Sequence, residues 1–331
     1  MSYRLGVDVG GTFTDLLLIN EETGETHTAK VPSTPDDSSI GVLNGVAQIC
    51  DESGINPKDV NRVMHGTTVA TNAVLTGKGA KVGLVTTSGY EDTLQVARSF
   101  CSGGLGGWVS FIKRPLLAPL ELTIGAKERI GADGVVVQIL DEAQLRNDLK
   151  TLHSKGEVEA LTICFINSYT NSTHEKRAME IAKEIFTDTP ISISSDVVPE
   201  MQEYERTETT VVNSYVRPEV ASYVSNLQNV LDNKMGSDTQ LSILRSDGGL
   251  SSARAAAESP VNMLMSGPAG GVSGAIYFCQ RAGYNDMLTC DMGGTSTDVA
   301  LIQNARARVR RETIVADVRV RAPSVDVRTV G

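Results

Sequence analysis

Two short stretches of this chain carry the residue types that handle phosphate and divalent cations. They are Asp8-Val-Gly10-Gly11-Thr12-Phe-Thr14-Asp15 and Asp291-Met-Gly293-Gly294-Thr295-Ser-Thr297-Asp298. Shifted by 283 positions, residues 5–19 and 288–302 are identical at nine of fifteen places, so one device is used twice. Two adjacent glycines let a backbone turn with positive φ and leave no Cβ in the way of an incoming group. The N–H groups of such a turn form a concavity that favours anions. Threonine hydroxyls two residues apart would add donors on one side. Asp8 and Asp291, at strand ends, could hold Mg²⁺ through water or orient an attacking water. Facing each other, the two turns would grip a polyphosphate from both sides. The plainer alternative is a pair of tight hairpins whose Asp and Thr satisfy backbone groups; the repetition in matching context favours the phosphate reading. Neither copy has Gly-x-Gly-x-x-Gly spacing, and Gly77-Lys78-Gly79 is a turn without a Walker ending.

Weaker candidates lie between the two copies. His65, ahead of Gly66-Thr67-Thr68, is either a cleft acid/base or a structural histidine. Ser266–Ala275 spaces glycines four apart, which lets another backbone approach, either as plain packing or as a glycine-lined helix that senses closure. Glu203, Glu205, Arg206 and Glu208 stand at helical spacings suited to i,i+3 ion pairs, as a solvated network or as a substrate or metal contact.

The elements that must position these residues follow from periodicity. Apolar runs at 4–9 and 13–20, then alternation at 25–31, predict an antiparallel three-stranded meander turning at Asn20–Gly24. A helix opened by Pro35-Asp36-Asp37 runs to about Glu52, followed by a strand at 62–64, a helix to Leu75 and a strand at 80–86. This β-β-β-α-β-α-β order is an α/β domain with a mixed sheet. Residues 88–140, with the Gly-rich Ser102–Gly107, two prolines and Trp108, read as an insertion. Strand–helix alternation resumes to about residue 196, where two successive helices follow, the second with Pro218 in its first turn. Strand 240–245, helices 252–258 and 268–282, and β-type alternation over 306–330 complete the chain. The end at Gly331 inside a β-rich run suggests a truncated second domain, so the organisation expected is 1–195 and 196–331.

Composition narrows the function classes. A net charge of −10 and 5% aromatics argue against nucleic acid. Five scattered cysteines without a Cys-x-x-Cys pair fit buried thiols in a reducing compartment, and the four histidines are too far apart for a helical zinc pair. No signal peptide or membrane-length apolar run is visible, so a cytoplasmic enzyme is expected.

The two hairpins resemble the first and second phosphate motifs of the sugar kinase/Hsp70/actin superfamily. His65–Leu75, Glu203–Tyr215 and Ser266–Ala275 narrow the resemblance to the A-type subunit of ATP-dependent hydantoinases, 5-oxoprolinases and acetone or acetophenone carboxylases. That resemblance implies two ribonuclease H-like domains with mixed sheets, an insertion in the first and an incomplete second. It implies ATP and Mg²⁺ as cofactors, with Gly10, Gly11, Thr12, Thr14, Gly293, Gly294, Thr295 and Thr297 on the phosphates. Asp8 and Asp291 would govern the metal and the attacking group, and His65 is a lesser catalytic candidate. It also implies a B-type partner subunit, an oligomeric enzyme, and a cyclic amide (hydantoin or 5-oxoproline) or a ketone as substrate. A small-molecule kinase and a non-enzymatic nucleotide switch are the alternatives from other classes. The adenine-binding glycine turn would follow at about Gly331, so residues 1–331 alone should bind ATP weakly and turn nothing over. Residues 100–114 depart from the arginine- and tyrosine-rich segment of many relatives, which puts the substrate in question.

Overall fold

A computed structural model describes residues 2–34, 38–98, 114–236, 239–292 and 297–330. In chain order it begins with strands β1 (Tyr3–Val9), β2 (Phe13–Asn20) and β3 (Thr26–Pro32), helix α1 (Ser38–Ser53), β4 (Val60–Gly66) and α2 (Val69–Thr76). Then come β5 (Val82–Thr87), α3 (Thr93–Val96), β6 (Thr123–Ala126), β7 (Arg129–Ile130), β8 (Val136–Gln138), α4 (Glu142–Ser154), β9 (Ala160–Cys164), α5 (Thr173–Lys183), β10 (Ile191–Ile193) and α6 (Ser194–Val197). The long helix α7 (Glu203–Met235) leads to β11 (Gln240–Leu244), β12 (Leu250–Ser252), α8 (Ala253–Glu258) and α9 (Ser266–Arg281). The last elements are β13 (Met287–Met292), β14 (Thr297–Gln303), β15 (Arg306–Ala307), β16 (Val309–Arg310), β17 (Thr313–Val315), β18 (Val318–Val320), β19 (Ser324–Val325) and β20 (Val327–Val330).

These elements form two compact units that do not follow sequence order. The first holds Met1–Leu75, Glu219–Thr313 and Pro323–Gly331; the second holds Thr76–Pro218 and Ile314–Ala322. Both Gly-Gly hairpins therefore belong to the first unit.

The first unit contains a mixed sheet in the order β12-β11-β4-β1-β2-β3. The meander β1-β2-β3 is antiparallel, while β4 joins β1 in parallel and β11 joins β4 in parallel. Period-two alternation sorts its faces. Leu5, Val7, Val9, Thr14, Leu16 and Leu18 are buried, and α1 contributes Val42, Val46 and Ile49 to the core at i, i+4 and i+7. Gly45 lets α1 come close: a Cβ there would lie 2.1 Å from Leu16 Cδ1. The opposite face carries Gly6, Asp8, Asp15 and Leu17 and opens on a cavity. A second sheet pairs β13 with β14, and β15 and β20 also pair with β14. Ala269 and Val272 of α9 pack with Ala300, Ile302 and Val325 beside it.

The second unit is built on the parallel sheet β10-β9-β5-β6. Strands β5 and β9 are buried along their full length, as continuous apolar runs between helices require. Its core combines Leu145, Leu149 and Leu152 of α4 with Ile181 of α5, Phe165 and Phe186.

Four expectations change here. The stretch 203–235 is one helix rather than two, with Pro218 inside it. Proline removes a backbone donor at a cost of about 3 kcal/mol, but Val212, Val216, Val220, Val224 and Leu227 are buried on both sides of it and hold the helix together. Glu205, Arg206 and Glu208 of α7 reach partners outside the helix. Glu205 takes Arg98, Glu208 takes Arg114, and Arg206 is buried against the Phe165 carbonyl and Ser194. Residues 306–330 form short strands broken by turns, as at Ala316 with φ 50°. Cys50 and Cys164 are buried thiols as expected, but Cys290 is exposed. The start of the first helix at Pro35-Asp36-Asp37, and Trp108 with most of the 100–114 segment, lie outside the described residues.

Candidate functional site

Strand pairing places Asp8 directly opposite Asp15 and Val9 opposite Thr14 across the first hairpin. The turn is closed by Gly10 N–H, which donates to the Phe13 carbonyl at 3.0 Å. Neither Gly10 nor Gly11 has positive φ, so the glycines are not needed for a left-handed turn. Gly10 is needed for room. A Cβ on Gly10 would lie 3.1 Å from the Phe13 oxygen, and one on Gly11 would meet nothing within 4 Å, leaving that side open to an incoming group.

The two threonines separate. Thr12 is exposed in the turn, whereas Thr14 is fully buried within β2, on the Leu16 and Leu18 side. Ser33 Oγ donates to the Gly10 carbonyl at 2.7 Å, and Thr14 Oγ1 lies 3.0 Å from that same hydroxyl. Thr14 thus braces the turn from beneath and offers no donor to the open face. Period two holds within a strand, and the turn between Thr12 and Thr14 breaks it.

The second hairpin repeats the pairing: Asp291 stands opposite Asp298 and Met292 opposite Thr297. Thr297 is half-buried at the start of β14, while Gly293, Gly294 and Thr295 lie outside the described residues.

The strand ends of the two hairpins share one electrostatic neighbourhood. The Asp8 carboxyl is held above its ordinary pKa, first by lost hydration and then by the negative charges of Asp15 and Asp291; Lys30 opposes the shift. Helix α9 is the element that adjoins both. Gly271 lines the cavity of about 860 Å³ that holds Asp8, Asp15 and Lys30, and also a smaller one of about 330 Å³ that holds Asp291 and Asp298. A Cβ on Gly271 would approach Asp291 Oδ2 to 3.9 Å. Gly270, one residue earlier, packs against Leu244 of β11, where a Cβ would come within 2.7 Å of Cδ2. The helix is tied down at its start by Ser266 Oγ, which donates to the Thr67 carbonyl at 2.8 Å.

No local sequence pattern singles out Lys30. It stands opposite Asp15 on β3, with Nζ 2.8 and 3.1 Å from the two carboxylate oxygens and 5.1 Å from the centre of the Phe13 ring. The signal that could have found it is the Asn20–Gly24 turn, from which the register pairs Ile19 with Thr26 and hence Asp15 with Lys30.

His65 is buried, with both ring nitrogens engaged. Nδ1 lies 3.3 Å from the Val7 carbonyl and Nε2 lies 2.7 Å from Tyr223 Oη. A carbonyl only accepts, so Nδ1 carries the proton and Nε2 accepts from the tyrosine. Burial lowers the His65 pKa to about 4, which keeps the ring neutral near pH 7. The imidazole links β1 and β4 to α7.

Among the described residues no group of three His, Cys, Asp or Glu could surround a metal. Mg²⁺ commonly takes one or two carboxylates and fills its remaining positions with water and phosphate oxygens. Asp8 and Asp291 fit that donor set: hard oxygen ligands whose mutual repulsion a dication would relieve.

Comparison with known proteins identifies the family. The hydantoinase/oxoprolinase N-terminal region matches residues 4–186, and the hydantoinase/oxoprolinase domain matches residues 206–331. The chain belongs to the hydantoinase/oxoprolinase family. It is 34% identical to caprolactamase subunit alpha of Pseudomonas jessenii over 99% of its own length and 47% of that protein's. It is 33% identical to the acetophenone carboxylase gamma subunit of Aromatoleum aromaticum, over 92% of this chain and 43% of that one. Two solved structures match 99% of the chain and 48% of theirs. Nucleotide-free acetone carboxylase does so with a TM-score of 0.89 and 27% identity, and the ATP-dependent caprolactamase of P. jessenii with 0.87 and 32%. The chain thus spans less than half the length of these relatives. Family members are ATP-dependent, and the relatives named here are subunits of larger enzymes.

Proposed function

We propose that this chain is the phosphate-gripping part of an ATP- and Mg²⁺-dependent amidohydrolase subunit that opens a cyclic amide. The observation that carries the reading is Gly271 of α9, which lines both the cavity of Asp8 and that of Asp291, each aspartate at the strand end of its own Asp-x-Gly-Gly-Thr hairpin. The 34% identity to a caprolactamase subunit supports the amide as substrate class. ATP would supply the phosphoryl group that converts an unreactive amide oxygen into a leaving group. The chain's own contribution is positioning and charge neutralisation. Gly11 and Thr12 leave the first turn open to a phosphate, and Thr297 with Gly293, Gly294 and Thr295 would serve the second. Asp8 and Asp291 would hold Mg²⁺ and orient the attacking group.

The order β3-β2-β1-β4 in the first sheet, and the same hairpin opening the second, support two ribonuclease H-like halves. Family matches ending at 186 and beginning at 206 support sequence domains at 1–195 and 196–331. We place the enzyme in the cytoplasm with a B-type partner subunit; among the described residues no helix is long and apolar enough to cross a membrane.

The second reading is a ketone carboxylase working through a phosphoenol, supported by the likeness to acetone and acetophenone carboxylases. Phosphate release by the whole enzyme with its partner separates the two. Stimulation by a lactam or hydantoin without bicarbonate supports the amidohydrolase. Release that requires both ketone and bicarbonate supports the carboxylase, and a stable phosphorylated product would overturn both.

A further inference from the structure

Lys30 stands out among the residues around the larger cavity. It is the one lysine or arginine among the described residues that line it, and it faces two carboxylates, Asp8 and Asp15, on the same sheet face. Asp8, Asp15 and Lys30 form a single rung across β1, β2 and β3. The lysine side chain is 56% exposed, so its ammonium is free to change partner at little cost. It also lies beside Phe13, the residue that closes the Gly10–Thr12 turn.

A polyphosphate entering here meets Asp8 and Asp15, and a single Mg²⁺ leaves much of its charge unbalanced. A compact ammonium on a flexible stem beside an open glycine turn supplies what is missing. We propose that Lys30 binds the terminal phosphate of a nucleoside triphosphate held at the Gly10–Thr12 turn, and that Asp15 holds the ammonium in place until the phosphate arrives. The inference rests on the phosphate-binding reading of the first hairpin and adds the residue that would distinguish a triphosphate from a diphosphate. The lysine forms a charge-assisted contact with a phosphate oxygen and breaks its pair with Asp15; no bond is made or cleaved.

The test is titration of the whole enzyme, with its partner subunit, with Mg·ATP and with Mg·ADP at low ionic strength, followed by phosphorus NMR, for wild type, Lys30→Met and Lys30→Arg. Lys30→Met should weaken Mg·ATP by about tenfold or more, as loss of a charged hydrogen bond does. Mg·ADP should change by less than about twofold to threefold, and Lys30→Arg should recover most of the loss because the charge is kept. Wild-type affinity of Lys30→Met for Mg·ATP overturns the role of Lys30 and leaves the hairpin reading intact. Equal weakening of both nucleotides also overturns it, by making Lys30 a diffuse charge instead of a terminal contact. If the wild-type whole enzyme binds neither nucleotide, the phosphate reading of the hairpin falls together with the inference.

Discussion

The charge of Asp291 reaches Asp8, 283 residues earlier in the chain, and the glycine-rich start of α9 adjoins both. An ionised Asp8 loses hydration and meets the charges of Asp15 and Asp291, so the site carries a small cost in the absence of ligand. Removing one charge should therefore stabilise the ligand-free protein while disabling the site. We expect Asp8→Asn to raise resistance to urea slightly, by less than about 1 kcal/mol given the solvent around the group. The same change should reduce ATP turnover in the whole enzyme by about a hundredfold or more. Urea denaturation and a phosphate-release assay measure the two effects. Lower stability of Asp8→Asn without ligand would contradict this account.

The pKa of Asp8 gives this pair a pH signature. A carboxyl whose folded pKa is raised contributes stability at low pH and loses it as pH rises through that pKa. Mg²⁺ should therefore stabilise the protein more as pH rises from acid towards neutral and Asp8 gives up its proton. Thermal denaturation with and without Mg²⁺ across this range tests the claim, and a metal effect that grows on acidification would sink it.

His65 provides a signature of opposite sign. Its pKa falls from 6.5 to about 4 on folding, so the unfolded chain binds the proton first. The stability of the neutral ring is fully present above pH 6.5 and is lost as pH falls towards 4, by about 3 kcal/mol in all. Histidine NMR should show one ring titrating near 4. Tyr223→Phe removes the donor to Nε2 and should cost about 1–2 kcal/mol. A His65 resonance that titrates near 6.5 in the folded protein would refute the buried, neutral assignment.

Gly45 tests the packing beneath the first hairpin. Alanine improves helix propensity by about 1 kcal/mol, yet its Cβ would lie 2.1 Å from Leu16 Cδ1 and 3.1 Å from Cγ. Overpacking costs about 1–3 kcal/mol, so Gly45→Ala should destabilise on balance. Adding Leu16→Ala should cost less in that background than in wild type, a coupling that a double-mutant cycle by urea denaturation detects.

In the second unit, Arg206 and Glu175 are both buried and meet at Ser168 and Ser194. Glu175 also accepts from the backbone N–H groups of Phe165 and Ser195 at 2.9 and 2.8 Å. Breaking such a network from one side leaves a buried charge and costs about 3–5 kcal/mol. Arg206→Met should show this loss, and the double variant with Glu175→Gln should lose less than the sum. Denaturant midpoints measure both, and strict additivity would show that the two groups act independently.

Most of the elements were legible in the sequence because their signals are local. Apolar runs marked β1 and β2, alternation marked β3, turn residues marked Asn20–Gly24, and the repeated Asp-x-Gly-Gly-Thr motif pointed to the family. The single helix α7 escaped because proline is a strong local breaker, while the buried valines on either side of it act through tertiary packing.

The sequence by itself determined that the chain has two matching hairpins, which side chains each one offers, and the family to which they belong. Tertiary structure alone decided how those side chains are used. It sent Thr14 into the core beside Ser33 and set Lys30 against Asp15. It closed both nitrogens of His65 and brought Asp291 within the field of Asp8. These are relations between residues 15 to 283 positions apart. They depend on strand register and on which face of a sheet meets which helix, and no local periodicity encodes that choice.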